Sequence, residues 1–232
     1  MIVHRKASDR GNTRLGWLDG RHSFSFNRYY DPEWMGFRTL RVINDDVVEP
    51  SGGFGRHPHQ DMEIVTWVLD GVLKHRDSTG AEGELRPGEA QRMSAGTGVY
   101  HSEFNASATE RVRLLQIWIE PAEAGMTPSY EQKEFPESER LNRLRVIASQ
   151  DGREDSVTIG QDAAIYDGVL EAGASVEHPI AAGRSAWLQV AKGKVAVNGL
   201  ALAEGDGAAI SAEPLVRIVA AESSEVLLFD LK

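Results

Sequence analysis

Residues 54–71 read FGRHPHQDMEIVTWVLDG, and this segment decides the fold class. Its second half, residues 64–69, is a short apolar run that ends in an Asp-Gly turn signal. A run of this length, rich in β-branched and aromatic side chains, predicts a buried β-strand. The first half places His57 and His59 two positions apart. Side chains two residues apart on a strand lie on the same face, so the two imidazoles are predicted to point the same way.

The same pattern of short apolar runs and turn signals recurs along the chain. Further runs occupy residues 114–119, 186–191, 194–197 and 225–229. The run 194–197 precedes Asn198-Gly199, a dipeptide that favours a two-residue β-hairpin turn. Glycine contributes 23 of the 232 residues, about a tenth of the chain, against an average of roughly 7%. Because glycine is disfavoured inside helices and no long helical periodicity stands out, the sequence predicts an all-β fold of the sandwich or barrel type.

The two halves of the chain show a weak internal repeat. VLDG at 68–71, followed by PGEA at 87–90, resembles VAKG at 190–193, followed by EGDG at 204–207. In each copy a predicted strand ends in glycine, and a second glycine beside an acidic residue follows further along. A repeat of this kind predicts two related β-barrels in tandem.

The segment between the two repeats has a different composition. Three of the nine prolines, at positions 121, 128 and 136, fall there among glutamate, glutamine and serine. Such a composition is typical of a linker. We therefore expect an N-terminal barrel at residues 1–120, a linker at 121–144 and a C-terminal barrel at 145–232.

Charge and residue usage exclude several classes of function. Lysine and arginine number 25 against 35 aspartates and glutamates, so the formal net charge is −10, which disfavours binding to a phosphate backbone. The absence of cysteine excludes disulfides and thiolate chemistry, and it leaves histidine and carboxylates to hold any metal ion. No apolar run approaches the roughly 18 residues that cross a bilayer, and no secretory signal is recognised. We expect a cytoplasmic protein that binds neither membrane nor nucleic acid.

A second motif, GVYHSEFN at residues 98–105, complements the histidine pair. It places His101 and Glu103 two positions apart, and on another strand of the same barrel they would complete a set of three imidazoles and one carboxylate. Glu63 also lies at an even offset from His59. This set suits a divalent first-row metal ion. Four protein ligands on an ion that prefers six leave open positions, which favours catalysis over a structural role.

Structural roles are also considered for the histidines and for the aromatic residues. A lone His-x-His pair on an exposed strand is commonly two solvated side chains, but three of the seven histidines fall in these two motifs. His75 is predicted to pair locally with Asp77, and His22 either lines the barrel mouth or is a hydrogen-bonded structural residue. The aromatic side chains between residues 17 and 37 are predicted to form core packing, with a wall for a flat aromatic substrate as the second interpretation.

The motifs resemble two known groups of proteins. His57-x-His59-x3-Glu63, the Pro-Gly-Glu turn at 87–89 and Gly98-x2-His101-x3-Asn105 resemble the two motifs of the cupin superfamily. The chain resembles the pirin family more closely than it resembles cupins in general. That likeness rests on HSFSF at 22–26, MGF at 35–37, RVINDD at 41–46 and MSAGTG at 93–98.

The resemblance to pirins implies a bicupin, with two tandem jelly-roll-like barrels of which the second lacks metal ligands. It also implies a non-haem metal site formed by His57, His59, His101 and Glu103. The expected ion is Fe(II), with Ni, Cu, Mn or Zn as alternatives. Generic cupins would instead use Glu63 as the carboxylate ligand, so Glu63 remains an alternative ligand or a neighbouring group. Glu103 and Glu63 are both candidates for the catalytic base.

The resemblance implies an activity as well. Bacterial pirins are commonly described as quercetin 2,3-dioxygenases, which open the ring of a flavonol with O2 and release CO. The alternative is a metal-dependent, redox-sensing regulator that acts through a protein partner, which the acidic net charge would allow on a basic protein surface. A third interpretation is a bicupin that binds metal without turnover. We expect a monomer whose ligands are a flavonol-like small molecule and O2.

Overall fold

The computed structural model describes all 232 residues, and nearly all of its regular secondary structure is β-strand. The strands are β1 (Ile2–Arg5), β2 (Gly11–Leu15), β3 (Leu18–His22), β4 (Leu40–Val48), β5 (Gly53–His59), β6 (Glu63–Asp70), β7 (Leu73–Asp77), β8 (Glu82–Leu85), β9 (Glu89–Ser94), β10 (Val99–Asn105), β11 (Val112–Ile119), β12 (Ser129–Glu134), β13 (Arg145–Ser149), β14 (Val157–Thr158), β15 (Ala163–Leu170), β16 (Ser175–Pro179), β17 (Ser185–Lys192), β18 (Lys194–Val197), β19 (Leu200–Ala203), β20 (Gly207–Ser211), β21 (Leu215–Ala220) and β22 (Ser224–Leu231). The helical segments are α1 (Glu137–Arg140) and two 3-10 turns, Ala7–Asp9 and Arg153–Asp155. None of them is long or apolar enough to cross a membrane.

The predicted all-β fold is confirmed, and the apolar runs form the expected strands. The runs 64–69, 114–119 and 186–191 lie in β6, β11 and β17. Strand β18 pairs with β19 across Asn198 and Gly199. Both turn residues have positive φ, 45° and 89°, which is the backbone that a tight hairpin turn of this kind requires.

One compact unit comprises residues 11–134 and 157–161. A seven-stranded sheet runs in the order β12-β9-β6-β11-β4-β3-β2, and a four-stranded sheet runs β5-β10-β7-β8. All their pairings are antiparallel. The inner faces of both sheets contribute to one apolar cluster, formed by Leu18, Val48, Val68, Leu73, Leu85, Val112 and Leu114. Burial of this cluster between the sheets closes the first barrel.

The second unit comprises residues 1–10, 135–156 and 162–232. Six of its strands form a sheet in the order β1-β20-β17-β22-β15-β13, and four more form a sheet in the order β16-β21-β18-β19. The order β20-β17-β22-β15 repeats β9-β6-β11-β4 of the first unit, and the smaller sheets correspond strand by strand. The prediction of two related barrels in tandem is therefore confirmed.

The glycines of the internal repeat mark equivalent points in the two barrels. Gly71 and Gly193 have φ of 79° and 80°, and a Cβ at either would lie 2.5 Å or less from a backbone carbonyl oxygen. Gly88 and Gly205 likewise have φ of 87° and 82°. A left-handed backbone that also meets its neighbour this closely requires glycine, so the repeat in the sequence reflects a repeat in backbone conformation.

The unit boundaries differ from the predicted ones at residues 1–10, in the predicted linker, and at residues 157–161, which belong to the unit of the N-terminal barrel. Residues 1–10 belong to the unit of the C-terminal barrel, because β1 pairs with β20 from Ile2 opposite Ile210 onwards. The predicted linker contains an ordered strand, β12, which pairs with β9. Pro128 and Pro136 flank this strand. Because proline cannot donate to a strand ladder, the two prolines delimit β12 instead of marking a flexible segment.

Candidate metal centre

Three histidines converge on the inner face of the four-stranded sheet. β5 and β10 are antiparallel neighbours, and His101 lies opposite His57 in their register. The Nε2 atom of His101 is 2.9 Å from Nε2 of His59 and 3.0 Å from Nε2 of His57. The predicted shared face of His57 and His59 is thus present, and the second motif supplies the third imidazole.

The protonation states of these rings are compatible with the binding of a metal cation. Nδ1 of His57 donates to the carbonyl oxygen of Gly55 at 2.8 Å, which leaves a lone pair on Nε2 of the neutral ring. Burial, reinforced by repulsion from the neighbouring rings, lowers the pKa of His59 to about 4 and of His101 to about 3. Both are therefore neutral at pH 7, the form of imidazole that binds metal. Two nitrogens about 2.1 Å from one ion, at a right angle, would be about 3.0 Å apart, which agrees with the observed spacing.

Glu103 lies beside this cluster, two residues beyond His101 on β10. Its carboxylate and the ring nitrogens of His75 and His101 lie within 4.8 Å of one another. The side-chain amide of Gln116 donates to Oε2 of Glu103 at 2.9 Å. The hydroxyl of Thr66 donates to Oε1 of Gln116 at 2.6 Å, and this bond turns the amide nitrogen of Gln116 towards Glu103. The carboxylate is therefore held by side chains of the opposite sheet.

Glu63 is not brought to the three imidazoles. It is the first residue of β6 and accepts a hydrogen bond from the hydroxyl of Ser94 at 2.8 Å. Thr66 of the same strand lies 3.4 Å from Glu103, so Glu63, three residues earlier, lies on the other face of the sheet. The even offset between His59 and Glu63 carries no information about their faces, because β5 ends at His59 and a turn separates it from β6.

Two other histidines have structural hydrogen bonds. Nε2 of His75, a fully buried residue, lies 3.1 Å from the carboxylate of Asp77, which confirms the predicted local pair. Nδ1 of His22 lies 2.7 Å from Oδ1 of Asn44, and its Nε2 lies 2.8 Å from the hydroxyl of Thr13. Because the amide oxygen only accepts, Nδ1 of His22 donates to Asn44 and Nε2 accepts from Thr13. His22 also lines the cavity described next, so both of its predicted roles are present.

A cavity of about 310 Å³ adjoins the histidine cluster. This volume is at the lower end of the roughly 300–1,000 Å³ typical of small-molecule pockets. His57, His59 and Glu103 are part of its lining. Apolar side chains supply much of the remainder: Leu15, Trp17, Leu18, Phe26, Phe54 and Trp118. No lysine or arginine lines it. The indole of Trp118 meets the ring of His59 edge to face, with centroids 4.9 Å apart.

The polar part of the lining contains a buried carboxyl group, that of Asp46. Asp46 is 4% exposed, and its Oδ1 atom has no hydrogen-bond partner. Burial, together with repulsion from Asp45, Glu103 and Asp19, raises the pKa of Asp46 to about 8. A carboxyl group in this state can donate a hydrogen bond as well as accept one.

Several residues of this site escape reasoning from sequence. They are Asn44, Asp46, Thr66, Gln116 and Trp118. The one available signal was the polar run Asn-Asp-Asp at 44–46 inside an otherwise apolar segment. In β4 that run places Asn44 and Asp46 on the inner face, whereas Asp45 faces outward to Arg113.

Comparisons with known proteins agree with the fold. A family model described as Pirin matches residues 3–119, and one described as Quercetinase C-terminal cupin domain matches residues 146–231. The quercetin 2,3-dioxygenase of Escherichia coli (strain K12) is 50% identical over 231 residues, which cover 100% of this chain and 99% of that protein. A pirin-like protein of Caulobacter vibrioides is 41% identical and covers 99% of each chain.

Solved structures extend the comparison to three dimensions. The crystal structure of the bacterial pirin YhhW from Escherichia coli in complex with nickel(II) has 50% sequence identity and a TM-score of 0.95, and the match covers 100% of this chain and 99% of that one. A second crystal structure of YhhW has a TM-score of 0.96 at the same identity and covers 98% of that chain. The chain therefore belongs to the pirin family.

Proposed function

We propose that His57, His59, His101 and Glu103 hold a divalent metal ion, with Fe(II) as the first candidate. We further propose that the chain is a dioxygenase that opens the ring of a flavonol such as quercetin with O2 and releases CO. The observation that carries this proposal is the convergence of three imidazole nitrogens beside a buried carboxylate, on the wall of a largely apolar cavity. The relatives named quercetin 2,3-dioxygenase and the nickel(II) complex of YhhW support it.

The side chains of the cavity define how a flavonol would be held. Trp17, Phe54 and Trp118 offer aromatic surface to a flat ring system and exclude water from it. Gln116 fixes one oxygen of Glu103, and the carboxylate accepts the proton of the flavonol 3-hydroxyl group. A bound metal ion would supply a Lewis acid and a redox-active centre at the three imidazoles.

Turnover of quercetin by the metal-loaded protein tests the proposed activity. We expect O2 consumption, release of CO and loss of the flavonol absorbance. His57→Ala and His101→Ala are expected to remove both the bound metal and the turnover, because each deletes one of three converging nitrogens. Metal-replete protein that leaves quercetin unchanged under air would contradict the dioxygenase proposal and favour the alternative, a metal-dependent, redox-sensing regulator that acts through a protein partner.

The identity of the carboxylate ligand needs a separate comparison. We expect Glu103→Gln to lower the bound metal per chain strongly, whereas Glu63→Gln retains it, because Glu63 lies on the other face of its sheet. Elemental analysis of both variants, purified in parallel, measures the difference. Equal retention by the two variants would count against Glu103 as a ligand.

A further inference from the structure

We propose that Asp46 is a substrate-binding residue whose carboxyl group bonds a hydroxyl of the aromatic substrate other than the one that reacts. The cavity would then select uncharged, polyhydroxylated aromatic molecules. This inference rests on the proposed function for its choice of flavonols as ligands. It adds a specificity residue that belongs to neither the histidine cluster nor its carboxylate.

The first support is that Asp46 has unused hydrogen-bonding capacity. Among the side chains that line the cavity, two buried polar atoms have no partner: Oδ1 of Asp46 and Nε1 of Trp118. Nearby polar groups are occupied, because His22 bonds both Thr13 and Asn44. A buried oxygen without a partner costs stability and therefore calls for an explanation, and a ligand that completes the bonding of this carboxyl group supplies one.

The second support is that the neighbouring strand leaves room for this carboxyl group. Gly20 of β3 lies opposite Asp46 of β4 in the register. A Cβ at Gly20 would lie 2.5 Å from Oδ1 of Asp46. The φ of Gly20 is not positive, so its backbone conformation does not demand glycine. A side chain at position 20 would collide with Asp46, and the space left by its absence holds the carboxyl group of Asp46.

The third support is the charge distribution around β4. Asp45, the preceding residue, faces the other side of the sheet and receives two hydrogen bonds from the guanidinium of Arg113, at 2.9 and 3.0 Å. Asp46 has no such counter-charge, and no cationic side chain lines the cavity. A carboxylate-bearing ligand placed against Asp46 would therefore meet a buried carboxyl group with no cationic side chain beside it. A neutral hydroxyl can bond Asp46 in either protonation state, donating to the carboxylate or pairing with the acid.

Two substrates that differ in their non-reacting hydroxyl groups test the proposed hydrogen bond to Asp46. Quercetin carries hydroxyl groups on both ring systems, whereas 3-hydroxyflavone carries only the one that reacts. We expect Asp46→Ala to lower kcat/KM for quercetin about tenfold, through KM, and to change that for 3-hydroxyflavone by less than about twofold. Asp46→Asn, which keeps hydrogen-bonding capacity, is expected to recover most of the loss. Gly20→Ala, which displaces the carboxyl group, is expected to reproduce the pattern of Asp46→Ala.

The matched control is Asp45→Asn, which removes a carboxylate one position away on the opposite face. It should leave the ratio of the two kcat/KM values unchanged. Metal content and thermal unfolding of every variant show whether it is folded and loaded. Equal losses for both substrates in folded, metal-loaded Asp46→Ala would overturn the inference.

Binding distinguishes failure of this inference from failure of the proposed function. Quenching of tryptophan fluorescence, with Trp17 and Trp118 at the cavity, reports flavonol affinity for the metal-loaded protein without O2. Tighter binding of quercetin than of 3-hydroxyflavone, lost in Asp46→Ala, would support the inference even if no flavonol is turned over. Equal affinity of the unaltered protein for both flavonols would overturn it even if quercetin is turned over.

Discussion

At the scale of single residues, the candidate site depends on a row of buried polar side chains across the larger sheet. Register pairs connect five of them on adjacent inner-facing positions: His22, Asn44, Gln116, Thr66 and Gln91. Polar groups are costly to bury unless they are bonded, and here Thr66 bonds Gln116 and His22 bonds Asn44. Gln116 extends this row to Glu103. The orientation of the proposed carboxylate ligand is therefore set by a residue of β11, from the opposite sheet.

The role of Gln116 in orienting Glu103 can be distinguished from the general effect of removing a buried polar side chain from the row. We expect Gln116→Leu to weaken metal binding about 10- to 100-fold, because Glu103 loses the donor that orients it. Competition with a chelator measures the change in Kd. Gln91→Leu is the matched control, since Gln91 is also buried in the row but does not bond Glu103. Similar losses in the two variants would argue against a positioning role for Gln116.

At the scale of elements, short pieces of structure depend on partners from distant parts of the chain. Helix α1 has only four residues, too few to be stable alone. Its last residue, Arg140, is buried and donates from Nε to the carbonyl oxygen of Phe135 at 2.9 Å. Nη1 of Arg140 donates to the carboxylate of Asp167 on β15 at 2.5 Å. A buried ion pair thus fastens the helix to the sheet of its own unit.

Removal of one partner from this pair should destabilise the second unit. We expect Arg140→Met to lower the free energy of unfolding by about 3–5 kcal/mol, because the carboxylate of Asp167 stays buried without its counter-ion. Urea unfolding measures the change. The double variant Arg140→Met/Asp167→Asn is expected to regain part of the loss, since it removes the uncompensated charge. A single variant as stable as the unaltered protein would show that the pair is dispensable.

At the scale of the whole molecule, two barrels with the same strand order have different interiors. The first carries the histidine cluster and the polar row, whereas the core of the second is a continuous set of apolar side chains. Strand β1, near the N-terminus, belongs to the same unit as the C-terminal strand β22, because β1 pairs with β20. Asp206 secures this N-terminal segment, because its carboxylate accepts hydrogen bonds from the backbone N–H of Ala7 at 2.7 Å and from Nε2 of His4 at 3.0 Å.

This attachment predicts a pH dependence of stability. Burial alone would raise the pKa of Asp206, but hydrogen bonds from Ala203, Ala7 and His4 outweigh it and lower the pKa below the ordinary value of an aspartate. A lowered pKa in the folded state means that the stabilisation is present above about pH 4 and is lost as the pH falls through the folded pKa. Asp206→Asn should therefore be less stable than the unaltered protein at pH 7.

Urea unfolding between pH 7 and pH 2 tests this dependence. The difference in unfolding free energy between Asp206→Asn and the unaltered protein should shrink once Asp206 is protonated. Asp9→Asn, at an exposed carboxylate of the same segment, should show little difference at any pH. A difference for Asp206→Asn that stays constant down to pH 2 would mean that charge plays no part in the attachment.

Much of the fold was predictable because its signals are local. A strand places every second side chain on one face, so His57 with His59 and His101 with Glu103 could be paired from spacing alone. Turn glycines reveal the repeated barrel because their left-handed backbone is a property of single residues. The residues of β12 were predicted to be a linker but form an ordered strand. Proline does not distinguish the two cases, because it occurs at the ends of ordered strands as well as in flexible segments.

The sequence by itself determined the all-β class, the tandem repeat and the two faces that carry the candidate ligands. Only the tertiary structure decided which carboxylate stands beside the histidines, which side chains hold it and which carboxyl group lines the cavity. His59 and His101 are 42 positions apart, and Thr66 and Gln116 are 50 apart. Contacts over such separations follow from strand order and register, which arise when the two sheets bury their apolar faces together and which no local pattern encodes.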